Sequence, residues 1–306
     1  SMIRIERAPA PKSGAIRAGW KALMDKRGAN VNPNDLNARD EGFLRKIEPL
    51  LSWLYDDYLR CETELECDLP EGPCLVVGNH NGMTGTPDMF CHMVAFWRRY
   101  GFQRRAHGLM HDFPFNIPWA GSWLSAAGAL AANHDNGQAA LAEGAAVLVF
   151  PGGDIDACKP YRERYRIDFA GRRGFLKLAL RAQVPIVPCV SAGAHSSLLL
   201  LSDGQSIAKF LRLPRLLRSN VFPIGFALPY GLVVGTPLPH FPPPVKVHTR
   251  FLRPVEFGLP ASAAEDPEAL DACYVKVVMA MQKGMDDLRR AGRHGLFPRK
   301  REAAGS

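Results

Sequence analysis

The chain has 306 residues, of which 47% are hydrophobic and 22% charged, so it is long enough for one large core or two smaller ones. Its net charge of +8 favours acidic partners, and the absence of any nucleic-acid recognition motif leaves anionic lipids and phosphorylated substrates. Seven cysteines without a CxxC pair argue against a disulfide framework or a zinc site and favour reduced thiols in a cytosolic compartment.

Two helices are predicted within the first 59 residues. Residues 13–27 can form a basic helix with Trp20 on its apolar side. Such a helix can lie on an anionic membrane or pack on the main domain, and the sequence leaves both open. A second helix is predicted over 41–59, where Pro49 should kink or split it. No run of about 18 apolar residues occurs anywhere, so we expect no membrane span.

The most informative stretch lies in residues 74–91. Residues 74–77 form a short apolar run that predicts a buried strand, and a helix with Thr86 as its cap is predicted over 87–100. His80 therefore follows a strand and Asp88 opens a helix. A carboxylate across such a corner can fix the tautomer of a histidine and stabilise its cation. The same residues also fit an ordinary loop histidine and a helix charge favoured by the dipole.

The region that follows carries fewer signals. A short strand is predicted over 105–110 and a helix over 134–143. The aromatic segment 113–124 can wall an apolar channel or pack in the core. The spacing of His107 and His111 matches no standard metal signature, so we expect no metal and no other cofactor.

Residues 145–154 predict a buried strand that ends in a Pro-Gly-Gly turn. Gly152 and Gly153 allow close approach to the backbone and can free N–H groups for a ligand. Cations follow the turn, and Arg172 stands near the start of a helix predicted over 171–182. This arrangement suits a phosphate or a developing oxyanion, although each arginine alone also fits a solvated surface. The candidate substrate-binding residues are Asn79, Gly82, Gly152, Gly153, Asp154, Lys159, Arg164 and Arg172.

The C-terminal part begins with an apolar strand predicted at 184–188. The leucine and arginine run at 210–218 fits either a membrane-facing patch or an amphipathic surface helix. Three strand-like runs are predicted between 222 and 253, and the last of them, at 245–253, alternates like an edge strand. A closing helix is predicted over 265–291, and the basic tail beyond it is predicted to be disordered.

Three of these motifs occur together in one known superfamily. The histidine–aspartate stretch, the sequence FPGGD at 150–154 and VPIVP at 184–188 stand in the order of the phospholipid/glycerol acyltransferases, and the chain resembles a bacterial subgroup over roughly 70–255. The match is a variant. Seven residues, 81–87, separate His80 from Asp88 where the family has four, and glycine replaces the glutamate of its Phe-Pro-Glu-Gly-Thr-Arg motif.

The resemblance implies an α/β fold with a mixed central sheet flanked by helices. We assign 1–69 to an N-terminal helical region with a possible membrane-docking helix, 70–260 to the acyltransferase α/β domain, and 261–306 to a C-terminal helix and tail.

The resemblance also implies transfer of a fatty acyl group from acyl-CoA or acyl carrier protein to the hydroxyl of a lysophospholipid, glycerolipid or long-chain alcohol. His80 would be the general base, oriented by Asp88. The expected partners are the acyl donor, the lipid acceptor and an anionic membrane surface, with no nucleic acid. The expected location is cytoplasmic, peripheral to the membrane. Two alternatives remain, a non-catalytic lipid-binding protein of the same fold and a lipid ester or thioester hydrolase. The absence of a GxSxG motif argues against a serine hydrolase.

Overall fold

The structure is a computed structural model. It describes residues 2–26, 31–82, 87–117, 119–202, 205, 224–227, 231–234 and 243–300. The proposed cap Thr86, the run at 210–218 and the last six residues of the tail lie outside the described residues.

Helices and strands alternate between residues 74 and 149, as the periodicity predicts. The α-helices are α1 Ser13–Asp25, α2 Glu41–Trp53, α3 Pro87–Tyr100, α4 Ala120–Ala126, α5 His134–Ala142, α6 Gly153–Ala157, α7 Gly174–Ala182 and α8 Pro267–Ala291. The strands are β1 Ile3–Arg4, β2 Glu62–Leu65, β3 Cys74–Gly78, β4 Ala106–Met110, β5 Ala129–Ala131, β6 Ala146–Val149, β7 Ile186–Ala192, β8 Leu198–Ser202, β9 Ile224–Ala227, β10 Gly231–Val234 and β11 His248–Phe251.

The mixed α/β class predicted from the sequence is confirmed. Eight of the described strands form one sheet in the order β1-β2-β11-β7-β3-β6-β4-β5, while β8, β9 and β10 form a small antiparallel sheet. Strand β3 lies between β6 and β7 and is parallel to both, with Val77 opposite Val149 and Pro188. The carboxyl ends of β3 and β6 therefore meet at one edge, which is where open α/β sheets bind ligands.

Helices cover both faces of this sheet. Within β3, Leu75 and Val77 belong to a core shared with α5, α7 and α8, whereas Cys74 and Val76 belong to a core shared with α2 and α3. Alternate residues of one strand thus enter opposite cores, so β3 is apolar throughout and its end is held rigidly.

Strand β11 lies inside the sheet and is not the edge strand that its alternation predicts. It pairs in parallel with β2 and antiparallel with β7. Its polar residues are buried because they meet countercharges: Arg250 donates to Glu64 Oε2 of β2 at 3.0 Å. Strands β1 and β2 precede residue 70 yet belong to this sheet, so the N-terminal region completes it.

The first two helices pack on each other. Gly19 of α1 lies against Leu50 of α2, where an added Cβ would stand 3.1 Å from the leucine Cβ. Helix α2 runs through Pro49 without being split and continues as a π-helical turn over Leu54–Tyr58. Trp20 of α1 stays 55% exposed. Among the helices that the structure describes, none combines the length and hydropathy that crossing a bilayer requires.

One pair of cysteines is a correction to the expectation of reduced thiols. Cys61, just before β2, and Cys91 in α3 form a disulfide, with Cα atoms 6.7 Å apart. The pairing joins positions 30 residues apart that meet only in the folded chain. The spacing of the cysteines in the sequence does not predict this contact. The cysteines of the described chain outside this pair are Cys67, Cys74, Cys158, Cys189 and Cys273.

Candidate active site

The structure brings His80 and Asp88 into direct contact. His80 Nδ1 lies 3.0 Å from Asp88 Oδ2, which also accepts the backbone N–H of Asn81 at 2.6 Å. The other carboxylate oxygen accepts the N–H of Met89 at 2.7 Å. The longer interval of this sequence therefore still returns the carboxylate to the imidazole. Asp88 is fully buried and His80 is 8% exposed.

The electrostatics of this pair suit a base. With Nδ1–H donating to Asp88, a neutral His80 has its lone pair on Nε2. Burial lowers the pKa of His80, but the charge and hydrogen bond of Asp88 outweigh it and hold that pKa above its ordinary value. Burial likewise opposes ionisation of Asp88, but the His80 cation and hydrogen bond keep the aspartate pKa below its usual range. Each group thus favours the charged form of the other.

An aromatic ring fixes the plane of the imidazole. Phe150, the first residue after β6, stacks on His80 with centroids 4.4 Å apart and planes 10° from parallel. Its ring also lies 5.7 Å from that of His92 in α3. Gly78 makes this contact possible, because a Cβ there would stand 2.7 Å from a Phe150 ring carbon. Phe150 of the FPGGD motif therefore helps to fix the ring of His80 in the histidine–aspartate motif.

Two asparagines tie the His80 loop to the end of β7. Asn79 Oδ1 accepts the N–H of Ser191 at 2.9 Å, and its Nδ2 donates to the Ser191 carbonyl at 3.0 Å. Asn81 Nδ2 donates to Ser191 Oγ at 3.1 Å. Gly82 has a φ of +128° and packs against Ala194. Asn79 and Gly82 thus lie at the site, and here they hold its loop; substrate binding by them stays a prediction.

The Pro-Gly-Gly turn is closed by contacts within the protein. A Cβ at Gly152 would collide with the Cβ of Asp156, and one at Gly153, whose φ is +52°, would lie 2.6 Å from Arg172 Nη1. Arg172 donates to the carbonyls of Pro151 and Gly152 at 3.1 and 3.0 Å. It also donates to Asp154 Oδ1 at 3.2 Å. Close packing therefore explains why glycine occupies both positions. Phosphate binding by Arg172 stays a prediction.

The remaining predicted cations lie in different settings. Lys159 is buried, and its Nζ lies 2.6 Å from Asp156 Oδ1. Arg164 lies between two rings, with its guanidinium carbon 3.9 Å from the centroid of Tyr161 and 4.6 Å from that of Tyr165. Lys159 thus contacts the carboxylate of Asp156, which in turn contacts the His80 loop. Arg164 lies in a separate aromatic cluster.

Sequence reasoning missed Asp156. Its Oδ2 accepts the backbone N–H of His80 at 2.5 Å, although 76 residues separate the two. The available signal was an acid three residues before Lys159, directly after the glycine turn.

His195, which follows β7, is also close to the dyad. The backbone N–H of His195 donates to Asn81 Oδ1 at 3.3 Å. Burial lowers the pKa of its imidazole to about 3, so the ring is neutral at physiological pH.

One group of side chains has metal-ligand chemistry. Ligand atoms of Glu62, Glu64 and His248 lie within 4.8 Å of one another. Arg293 already pairs with both carboxylates, at 2.7 Å to Glu62 and 2.9 Å to Glu64. Burial opposes ionisation of Glu64, yet hydrogen bonds from His248, Arg250 and Arg293 bring its pKa far below the usual range. The donor set is thus neutralised by guanidinium groups, which fits a buried ion cluster better than a cation site.

The segment that contains this site also matches known proteins. Residues 60–192, which contain the dyad and the glycine turn, match the Acyltransferase family. An uncharacterized protein of Mycobacterium tuberculosis is 30% identical over 253 residues, covering 82% of this chain and 67% of the relative. A chicken protein described as a DGAT1/2-independent enzyme synthesizing storage lipids is 26% identical over 180 residues, covering 57% of this chain and 51% of its own.

A solved structure is also similar. The 1-acyl-sn-glycerophosphate acyltransferase of Thermotoga maritima matches with a TM-score of 0.47 and 16% identity, covering 90% of each chain. With the dyad inside the matched segment and two thirds of the mycobacterial relative covered, this chain belongs to the acyltransferase family of enzymes.

Proposed function

We propose that this acyltransferase moves a fatty acyl group from a thioester donor, acyl-CoA or acyl carrier protein, to a lipid hydroxyl. The observation that carries the proposal is the 3.0 Å contact from His80 Nδ1 to the buried Asp88 carboxylate. This contact leaves Nε2 of the neutral ring as the proton acceptor, which is the state that a general base requires.

The transfer can proceed by direct attack of the acceptor on the thioester, without a covalent enzyme intermediate. As the acceptor oxygen attacks the thioester carbon, its proton passes to His80 Nε2. The tetrahedral intermediate then expels the thiolate by breaking the C–S bond, and the imidazolium returns the proton to sulfur. Backbone N–H groups of the motif loops would stabilise the oxyanion. No metal or cofactor takes part besides the co-substrate. A positioned base contributes about 10²–10⁴ to the rate.

A cationic groove supports a phosphate-bearing donor. Arg164 is stacked on Tyr161 and Tyr165, and Arg289 of α8 lies over Tyr165 at 5.5 Å. Arg164, Tyr165 and Arg289 line a cavity of about 350 Å³. Arginines held on aromatic rings suit the phosphates and adenine of CoA, since guanidinium groups bind phosphate in a fixed geometry and tyrosines stack on bases.

The variant motif and one relative support a particular acceptor class. The superfamily glutamate and arginine that the resemblance links to an acceptor phosphate are absent here, and Gly152 occupies the glutamate position. The chicken relative is named for storage-lipid synthesis. Both observations favour a diacylglycerol or long-chain alcohol over a phosphorylated acceptor, with lysophospholipids as the further candidate.

The decisive experiment measures thiol release from acyl-CoA with and without a panel of diacylglycerol, long-chain alcohols and lysophospholipids. Wild type should release thiol only with an acceptor, and His80→Ala should lose at least about 10² in kcat. His111→Ala, a change at an exposed histidine, should keep full activity. Near-normal turnover by His80→Ala would refute the mechanism. Acceptor-independent release would identify a hydrolase, and no release, even with acyl carrier protein as donor, would favour lipid binding.

We propose that the enzyme acts at the cytoplasmic face of an anionic membrane. Trp20 is exposed on α1 among lysines and arginines, the composition of a helix that lies in a lipid interface. Trp20→Glu should reduce sedimentation with phosphatidylglycerol vesicles several-fold. Met279→Glu changes an exposed apolar residue of α8 and should leave sedimentation unchanged. Equal sedimentation of the two variants would remove α1 from membrane docking.

A further inference from the structure

Asp156 is the point at which the glycine turn contacts the histidine loop. The residue is 2% exposed and its two carboxylate oxygens face different partners. Oδ2 accepts the N–H of His80 at 2.5 Å, and Oδ1 lies 2.6 Å from Lys159 Nζ. Lys159 is itself buried and donates to the carbonyl of Arg166 at 3.1 Å. A carboxylate and an ammonium group are thus sequestered beside the backbone of the dyad.

The turn before Asp156 is shaped to admit it. The N–H of Asp156 donates to the carbonyl of Gly152 at 3.3 Å, which brings the two Cβ positions so close that only glycine fits at 152. A buried ion pair is often no more stabilising than apolar residues of the same volume. Stability alone therefore gives little reason to build this pair here, and its contact with His80 gives another.

We infer that Asp156, neutralised by Lys159, is a positioning residue that holds the backbone of His80 so that its imidazole stays aimed at the acceptor hydroxyl. The inference rests on the proposed function, because it assigns Asp156 a role in the same transfer. His80 is then fixed at three points. Asp88 holds ring nitrogen Nδ1, Phe150 holds the ring face, and Asp156 holds the main-chain N–H.

The pairing with Lys159 has its own consequence. A lone carboxylate at this place would over-stabilise the His80 cation and weaken the base at neutral pH. The charge of Asp156 raises the pKa of His80 and that of Lys159 lowers it, so the two charges of the pair oppose each other at the base. Among the residues that the structure describes, the other titratable groups that face His80 are Asp88 and His92 of α3 and His195 after β7.

Two neutral double variants separate positioning from simple packing. D156N/K159M removes both charges but keeps a carbonyl oxygen that can accept the His80 N–H. D156L/K159M keeps the branched shape and the number of side-chain heavy atoms but has no acceptor. If Asp156 positions His80, the leucine variant should lose about 10² in kcat relative to the asparagine variant, with KM changed little, since a shift of about 1 Å in a reacting group can have that effect. Equal kcat in the two variants would overturn the inference.

Single variants give a readout that needs no substrate. In an NMR titration of labelled histidines, with His80→Ala to assign the signal, Asp156→Asn should move the His80 midpoint to lower pH and Lys159→Met to higher pH. Shifts in the same direction, or none, would contradict the role of the pair even if a double variant failed to fold. The two hypotheses stay distinguishable, because a wild type without acceptor-dependent transfer would end the proposed function while the titration still tests the contact.

Discussion

Replacing Asp88 by asparagine tests the site most directly, because the carboxylate has three hydrogen bonds to satisfy. One oxygen accepts from His80 Nδ1 and the Asn81 N–H, and the other accepts from the Met89 N–H. An amide offers one oxygen and one NH₂ group. If its oxygen faces His80, the NH₂ opposes the Met89 N–H. If the NH₂ faces His80, it becomes a donor to Nδ1 and forces the proton onto Nε2.

Both orientations have measurable effects. The first leaves a buried N–H group without an acceptor, which destabilises the fold by about 1–3 kcal/mol. The second also places the proton on the nitrogen that must accept one, and both remove the charge that stabilises the imidazolium. We expect kcat to fall by about 10²–10⁴, the range of a general base. The fold should survive, because the shape of the side chain is unchanged.

The assay is acceptor-dependent thiol release, with thermal unfolding measured on the same samples. Asp56→Asn is the matched control. Asp56 is buried too, and its oxygens accept from Arg98 at 2.9 and 2.6 Å near the opposite end of α3. This control should lower the melting temperature comparably and keep kcat. If Asp88→Asn retains kcat within about threefold, or if the control loses as much activity, the reasoning about the dyad is refuted.

Two further predictions concern the same loop. The acid limb of kcat/KM should have its midpoint above the ordinary histidine value of about 6.5, because Asp88 raises the pKa of His80 and only the neutral ring accepts a proton. A midpoint below 6 in a pH–rate profile would contradict this. Gly152→Ala should lower kcat at least about tenfold, since its Cβ must displace Asp156. Gly14→Ala, where an added Cβ meets nothing within 4 Å, is the control, and equal kcat in the two would show that the turn tolerates the displacement.

Local pattern was sufficient for much of the molecule. The apolar run at 74–77 and the helical spacing after residue 87 predicted β3 and α3 within a residue or two. The order of three motifs predicted the family and the contact between His80 and Asp88. These inferences succeed because strand and helix periods, and a turn between adjacent elements, are set by neighbouring residues.

Contacts between residues that are far apart in the sequence could not be predicted in this way, as Asp156, β11 and Cys61 illustrate. Asp156 reaches His80 only because β6 lies beside β3 in the sheet. Strand β11 looks like an edge strand until β2 supplies Glu64 to pair with Arg250. Cys61 meets Cys91 only through the packing of α3.

The sequence by itself therefore determined the elements, the α/β class, the family and the candidate for the general base. The tertiary structure alone decided which charges meet in the interior. The physical reason is that burial of a charge is tolerated only beside a countercharge or hydrogen-bond partner, and strand order decides which distant residue that partner is.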